Sequence, residues 1–293
     1  MKKIALIAVA LVALVSLSVL VYGIEARQAA DVVSIRVSDA LPVTDPHSQL
    51  WSKATEFQLP MGSQTIIAPV KPAPSVPYIQ VRSLNNGTHI AFLITWADST
   101  KNDRTVKIDE FRDGSAVLLG PVGEMAVLAM GTATIPVNVL HWKADWQADI
   151  YTGFQGVESA FPNFWVDMYP NVVGEPPYTL PDNFSDAAKL YLPGWKVGNS
   201  VSQPLKVTSV EENRARGFGS LATEQSQGAI GRGIWENGQW SVVIARQLHP
   251  SDNEDIQLIS GEKYSTAFAI WDGASGDVGA RKSITALLTL YVQ

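Results

Sequence analysis

The stretch from Tyr78 to Trp96, YIQVRSLNNGTHIAFLITW, contains the clearest fold signal in the sequence. Its two ends, Tyr78–Ser83 and His89–Trp96, are rich in β-branched, aromatic and other apolar residues, which favour extended strands. Between them, Asn85-Asn86-Gly87 is a tight-turn signal, because Asn and Gly tolerate the positive φ of a hairpin turn. The run Ile90–Trp96 is apolar on both faces, as in a strand at the centre of a packed sandwich. The stretch therefore predicts an antiparallel hairpin within a packed sheet.

The rest of the chain repeats this pattern of short apolar runs bounded by Gly, Pro, Asn and Asp. No long segment shows a sustained 3.6-residue apolar period. We therefore predict an all-β fold, an antiparallel β-sandwich of the immunoglobulin-like or carbohydrate-binding-module-like type with long irregular loops, preceded by an N-terminal apolar helix. Further strands are predicted at Val32–Val37, Ser115–Leu119, Asn138–Ala144, Gln239–Arg246, Tyr264–Trp271 and Ser283–Tyr291.

Two segments lack strand patterning and are predicted to be loops. Gly153–Gln203 contains many prolines and aromatic residues, and it is expected to form a long ordered excursion from the sheet. Gly217–Gly233 is rich in Gly, Ser and Gln, and it is expected to form a flexible flap. Short helical turns are predicted near His47–Ala54 and Ser185–Leu190. Loops of this length usually carry function.

Composition excludes several classes of protein. The 22 Lys and Arg residues against 28 Asp and Glu give a net charge of −6 without a basic block, so no nucleic-acid partner is expected. The absence of cysteine excludes disulfides, thiolate zinc sites, cysteine-ligated iron–sulfur clusters, cysteine nucleophiles and covalent c-type haem. The sequence also lacks an H-E-x-x-H helix, a G-x-S-x-G elbow, a P-loop and a dinucleotide-binding fingerprint.

The N-terminus has the pattern of an export signal. Lys2 and Lys3 precede an apolar or small-residue run of 19 residues, Ile4–Tyr22, whose length lies between that of a cleaved leader and that of a membrane span. The two lysines predict that the N-terminus stays in the cytoplasm and that the remainder is extracytoplasmic, in the periplasm or at the cell surface. We predict a signal peptide or N-terminal membrane anchor in residues 1–30 and one domain in residues 31–293.

Six pieces of the chain, in their order and spacing, resemble one family. They are Asp45-Pro46 with Trp51, Ile90–Trp96 with Asp98-Ser99-Thr100, Phe111–Ala116, Met130–Trp142, Trp240–Leu248 and Phe268–Lys282. In these pieces the chain resembles the haem b-binding gamma subunits of type II dimethyl-sulfoxide-reductase-family molybdenum enzymes, such as ethylbenzene dehydrogenase. The resemblance covers most of residues 31–293.

The resemblance implies a haem b held without covalent attachment, with one methionine and one lysine as axial iron ligands. These ligands fall on Met130 and Lys282, with Met125 as the alternative methionine. A thioether ligand favours ferrous iron, and a dry pocket lowers the cost of the neutral lysine that ligation requires. Arg281, which stays charged, is expected to pair with a haem propionate.

His141 is the rival ligand, because imidazole is the commonest protein ligand of haem iron. It lies eleven residues after Met130, and its neighbours Trp142 and Trp146 indicate a pocket wall or a buried strand. Trp142 is therefore a candidate for contact with the cofactor. A lone histidine in such surroundings is more often a hydrogen-bonded core residue, so both interpretations of His141 stay open.

The predicted function is the relay of single electrons, not catalysis. If protein ligands fill both axial positions, no coordination site is open for a substrate. The resemblance implies as partners a molybdenum catalytic subunit and an iron–sulfur subunit, or a membrane respiratory complex if the anchor is retained, together with a redox carrier protein. Two alternatives are a haem-free carbohydrate- or ligand-binding sandwich, with aromatic platforms in Trp165–Tyr191, and an exported structural or surface component.

Overall fold

The computed structural model describes residues 30–164, 167, 172–174, 185–204 and 206–293. Within them the strands are β1 (Val32–Arg36), β2 (Phe57–Pro60), β3 (Tyr78–Asn85), β4 (His89–Ala97), β5 (Gly114–Pro121), β6 (Val137–Lys143), β7 (Val210–Ala215), β8 (Ala222–Thr223), β9 (Ile230–Glu236), β10 (Gln239–Gln247), β11 (Lys263–Trp271), β12 (Ser283–Ile284) and β13 (Leu288–Val292). The α-helices are α1 (Ala144–Thr152), α2 (Val157–Ala160), α3 (Asp186–Lys189) and α4 (Pro193–Lys196). Short 3-10 turns lie at Gln49–Lys53, Met125–Val127, Ser200–Ser202 and Gly273–Ser275.

The strands form one hydrogen-bonded sheet in the order β8-β7-β6-β5-β11-β13-β1-β3-β4-β10-β9, with β12 on β11 and β2 on β3. Strand β1 runs parallel to both of its neighbours, β13 and β3. The other strand pairs described are antiparallel. Strand β1 thus joins two antiparallel groups, which we call the β5 half (β8, β7, β6, β5, β11 and β13) and the β4 half (β3, β4, β10 and β9).

The two halves pack face to face through aromatic side chains. Phe92 on β4 meets Phe268 on β11 edge to face, with ring centroids 6.1 Å apart. Trp142 on β6 lies 5.0 Å from Trp240 and 6.4 Å from Trp96, both in the β4 half. All five side chains are fully buried, and such aromatic pairs add to the stabilisation from burial. The predicted all-β sandwich is therefore confirmed, with the two parallel pairs of β1 as a correction to a wholly antiparallel sheet.

Strand alternation decides which residues of the β5 half enter this core. Successive side chains of a strand point to opposite faces of the sheet. The residues that face the β4 half are Val117, Leu119, Leu140, Trp142, Phe268 and Ile270. The residues between them along the same strands belong to the opposite face.

Most of the predicted elements are confirmed. Strands occupy the predicted runs, and the β3–β4 hairpin turns at Gly87, which has a φ of 83°. The helical turns predicted near His47–Ala54 and Ser185–Leu190 are present at Gln49–Lys53 and Asp186–Lys189.

Three predictions need correction. The single strand expected at Ser283–Tyr291 is interrupted between β12 and β13. The helices α1, α2 and α4 and the strands β2, β7, β8 and β9 were not predicted, and β8 and the start of β9 lie within the Gly217–Gly233 segment that was expected to be a flap. The apolar helix expected in residues 1–30 lies outside the described residues, apart from Ala30. In the part of the chain that is described, no helix has both the length and the apolar character needed to cross a bilayer.

Replacing the central tryptophan tests the core. We expect Trp142→Ala to lower the free energy of unfolding by about 3–5 kcal/mol, because it removes a fully buried indole and leaves a cavity between the halves. Urea denaturation measures this loss. The control, Tyr191→Ala, removes an exposed ring and should change stability by less than about 0.5 kcal/mol. Equal effects of the two changes would contradict the core position of Trp142.

Candidate functional site

A cavity of about 820 Å³ opens on the face of the β5 half that points away from the core. Its floor consists of alternate residues of three adjacent strands, namely Val139, His141 and Lys143 of β6, Gly114, Ala116 and Leu118 of β5, and Ala267, Ala269 and Trp271 of β11. The pairing register places Ala116 opposite both His141 and Ala269, so these residues form a row across the sheet. Strand alternation therefore assigns one face to the core and the other to the cavity.

Small side chains make room above the centre of this floor. Gly114, Ala116, Ala267 and Ala269 all line the cavity. Three neighbouring strands are about 10 Å wide, so short side chains at these positions leave space for a bulky group against the sheet. Cavities of roughly 300–1,000 Å³ are typical of small-molecule and cofactor sites.

Met130 reaches the cavity from a strained turn. It is a non-glycine residue with a φ of 64°, and Gly131 follows with a φ of 79°. The Met130 amide donates to the Val127 carbonyl at 3.0 Å, and the Met130 carbonyl accepts from the Gly217 amide at 2.8 Å. A left-handed conformation costs a residue other than glycine about 1–3 kcal/mol and is concentrated at functional sites. The turn therefore holds the half-buried Met130 side chain at the cavity at an energetic cost.

Lys282 lines the same cavity immediately before β12. Its Nζ lies 5.1 Å from the centre of the Trp271 ring. No hydrogen bond or ion pair to this Nζ is present among the described residues. Burial lowers the pKa of Lys282, because the charged ammonium loses hydration. The side chain is thus a nitrogen donor for which burial favours the neutral form.

The loop that carries Lys282 is fixed from two sides. The buried Gln64 amide donates to the Ala280 carbonyl at 3.0 Å and to the Ile67 carbonyl at 2.8 Å. Trp271 Nε1 donates to the Gly279 carbonyl at 3.0 Å. These contacts determine where the chain enters β12 and hence where Lys282 lies.

His141 stacks on Trp271 with ring centroids 4.4 Å apart and an interplanar angle of 23°. Burial lowers the pKa of His141 well below its usual value, and the positive charges of Lys143, Arg112 and Lys282 lower it further. Burial therefore favours the neutral imidazole. Among the described residues, the ring nitrogens of His141 have no hydrogen-bond partner. The interpretation of His141 as a hydrogen-bonded core residue therefore gains no support from these residues.

Ion pairs lie at one end of the cavity. Lys143 pairs with Glu211, and Arg112 Nη1 lies 3.0 Å from Asp145 Oδ2. Burial lowers the pKa of Lys143, and the Glu211 carboxylate partly offsets this effect. Lys143, Glu211 and Arg112 line the cavity but were not among the predicted site residues. The register between β6 and β7, which pairs His141 with Glu211, brings Lys143 and Glu211 together, and Arg112 reaches them from the segment before β5.

The structure brings Met130, Lys282 and His141 to one cavity, but it does not bring Trp142 and Arg281 there. As a correction, Trp142 belongs to the core, because adjacent residues of β6 point to opposite faces, and its Nε1 donates to Gln147 Oε1 at 3.0 Å. Arg281 is exposed and lies outside the cavity lining. Met125, the alternative methionine, is 70% exposed on a 3-10 turn and also lies outside the lining.

Comparisons with known proteins give a family and distant structural likenesses. A family model described as ethylbenzene dehydrogenase matches residues 48–283. A protein of Haloferax mediterranei assigned as a respiratory nitrate reductase haem subunit is 21% identical over 242 residues, which are 82% of this chain and 65% of that protein. The chain therefore spans about two thirds of the length of this curated relative.

Two solved structures have a similar course of the chain. One is a Bacteroides uniformis protein assigned as carbohydrate-binding, with a TM-score of 0.43 and 8% identity over 89% of this chain and 98% of that one. The other is a family 9 carbohydrate-binding module of Caldicellulosiruptor kristjanssonii in complex with glucose, with a TM-score of 0.36 and 8% identity over 89% and 95% of the two chains.

Lys282 should make stability depend on pH in protein that holds no cofactor. Its pKa is lowered in the folded state, so the unfolded chain binds more protons between that value and the ordinary 10.5, and wild-type stability rises with pH through this range. We expect Lys282→Leu to be more stable than the wild type near pH 7, and we expect the difference to shrink as pH approaches 10.5. Thermal unfolding at several pH values measures it. The exposed Lys196→Leu is the control, and a less stable Lys282→Leu protein near pH 7 would contradict an unpaired ammonium.

Proposed function

Since the chain belongs to the ethylbenzene dehydrogenase family, which its residues 48–283 match, we propose that it is a haem-binding electron-transfer subunit of an oxidoreductase complex. The observation that carries this proposal is the cavity of about 820 Å³ that Met130 and Lys282 line together above a floor of small residues. The haem subunit of Haloferax mediterranei, matched over 82% of this chain, supports the same class of function.

The residues present fit a haem b bound without covalent attachment. The chain has no cysteine with which to attach a haem covalently. Most of the cavity floor is apolar, and the ion-paired Arg112 and Lys143 provide a polar end suited to carboxylate groups. The strained Met130 and the unpaired Lys282 are costly features in the protein alone, and a ligand that both side chains contact accounts for them.

We assign Met130 Sδ and Lys282 Nζ as the two donors that would hold the haem iron. When bound, haem supplies a one-electron couple whose potential a thioether ligand raises. Burial of Lys282 favours the neutral amine that ligation needs. The Met130 turn and the Gln64-supported loop hold both donors in place before any cofactor binds.

In this assignment His141 lines the cavity and does not bind the iron. Its neutral ring lies in the cavity against Trp271, beside the positively charged Lys143. As a neutral stacked group, it excludes water from the cavity without adding charge. If Met130 and Lys282 both held the iron, the haem would supply one-electron transfer and the subunit would perform no bond chemistry of its own.

The location and the partners form part of the same proposal. Lys2 and Lys3 before the apolar run Ile4–Tyr22 support export, with the domain periplasmic or at the cell surface and either free after cleavage or tethered by the uncleaved helix. The family resemblance supports a molybdenum catalytic subunit and an iron–sulfur subunit as partners, with a redox carrier protein or a membrane respiratory complex as the electron exchanger.

Visible spectra of the purified full-length protein test the proposal. We expect a low-spin spectrum in both oxidation states and complete extraction of the pigment into acidified organic solvent. Met130→Leu and Lys282→Leu should each convert the haem to a high-spin form or abolish its retention, because each removes one iron ligand. The matched controls Met125→Leu and Arg281→Gln change exposed side chains and should leave the spectrum unchanged.

Two results would contradict the assignment. If His141→Phe, which keeps an aromatic ring against Trp271, loses the low-spin spectrum while Met130→Leu keeps it, then His141 is a ligand and Met130 is not. A colourless wild-type protein that also fails to take up added haem would overturn the function and leave a haem-free binding sandwich.

A further inference from the structure

Three aspartates meet at one end of the sandwich, outside the lining of the large cavity. Asp98 directly follows β4, Asp113 directly precedes β5, and Asp272 directly follows β11. One carboxylate oxygen of each lies within 4.8 Å of the other two. Asp98 is 8% exposed, Asp113 is fully buried and Asp272 is half-buried. The strand ends of both halves therefore bring three acidic groups into one buried cluster.

No positive side chain balances this cluster. In the described part of the chain, no Lys, Arg or His forms an ion pair with Asp98, Asp113 or Asp272. The second acidic cluster, Glu224, Asp252 and Asp255, differs in this respect, because the Arg214 guanidinium lies 2.8 Å from Asp252 and 3.1 Å from Asp255. Buried charges without a partner are strongly unfavourable, so a group outside the described side chains has to neutralise the aspartates.

An orphaned oxygen atom also indicates a missing partner. Asp98 Oδ2 is buried and accepts no hydrogen bond of normal geometry, although the nearby Trp96 indole lowers the pKa of Asp98, which burial raises. Asp98 Oδ1 accepts from the Thr100 amide and hydroxyl at 3.1 and 3.3 Å. Asp113 Oδ2 accepts from Trp240 Nε1 at 2.9 Å and from the Asn102 amide at 2.7 Å. A carboxylate oxygen buried beside two other carboxylates is satisfied by a proton or by a cation.

We propose that Asp98, Asp113 and Asp272 bind a calcium ion. The donors are all oxygen atoms, which selects hard cations over zinc or copper. A site with three carboxylates from the protein favours Ca²⁺, because Mg²⁺ usually keeps several of its waters and binds only one or two carboxylates. This inference does not rest on the proposed haem function.

The surroundings of the cluster indicate a structural role for the ion. A smaller cavity of about 360 Å³ is lined by Asn102 and Gly273, whose amides donate to Asp113. The loop between Asp98 and Asp113 also supplies Thr105, Glu110, Phe111 and Arg112 to the large cavity. A cation at the two ends of this loop would fasten it to the end of β11.

Terbium luminescence tests the site directly. Trp240 donates a hydrogen bond to Asp113, so indole excitation should sensitise a Tb³⁺ ion bound there. With full-length protein stripped by EGTA, we expect one saturable Tb³⁺ site that Ca²⁺ displaces and that Mg²⁺ displaces much less well. Added Ca²⁺ should also raise the Tm of the stripped protein.

Isosteric variants locate the site. Asp98→Asn and Asp272→Asn should each weaken Ca²⁺ and Tb³⁺ binding by about tenfold or more, which is the lower end of losses seen even for supporting residues of metal sites. Asp252→Asn, in the Arg214-paired cluster, is the matched control and should bind like the wild type. If Asp98→Asn does not fold, the half-buried Asp272→Asn still provides the measurement.

Proton uptake is the competing way to neutralise the cluster. Burial, followed by the Asp98 charge, raises the pKa of Asp113 to about 7. If protons alone neutralise the cluster, the wild type will show no sensitised Tb³⁺ emission and no Ca²⁺-dependent Tm well above this pH. That result would overturn the calcium site, as would equal losses in Asp98→Asn and Asp252→Asn.

Discussion

Strand alternation in β5, β6 and β11 is the constraint on which both the core and the cavity depend. On β6, Trp142 fills the space between the two halves, while His141 and Lys143 face the cavity. A change of pairing register by one residue would place the indole in the cavity and the lysine in the core. The same hydrogen bonds that hold the sandwich together therefore also determine the chemistry of the cavity floor.

The sheet provides the space of the site, and loops provide its candidate ligands. Met130 lies in a left-handed turn whose carbonyl is bound by Gly217, and Lys282 ends a loop that Gln64 and Trp271 hold. Loops held by hydrogen bonds in this way can present ligand atoms at positions that strand residues do not reach. The aspartate cluster is similar, because it forms only where the ends of β4, β5 and β11 meet.

Local chemistry explains which features the sequence predicts. The β3–β4 hairpin follows from Asn86-Gly87 and two flanking apolar runs, so it was predictable. Strand β7, VEENRA, has no apolar alternation, because its buried Glu211 is compensated by Lys143 on β6. Trp142 is predicted to contact the cofactor because it adjoins His141, and the sequence does not say which face of β6 meets the β4 half. The burial of acidic residues, the pairing register of the strands and the contacts between strand ends all depend on the tertiary structure. The sequence of a single strand does not determine them.

The position of β1 has a consequence for how the protein folds. Val32 pairs with Leu290 and Ser34 pairs with Ser83, so the first strand lies between the last strand and an early hairpin. The antiparallel hairpins of each half can form soon after synthesis, but the β1–β13 ladder joins residues at opposite ends of the chain. Pairings so distant in sequence close late and slow folding. The sheet therefore reaches its final form only after β13 has been made, which leaves the nascent chain incompletely folded until then.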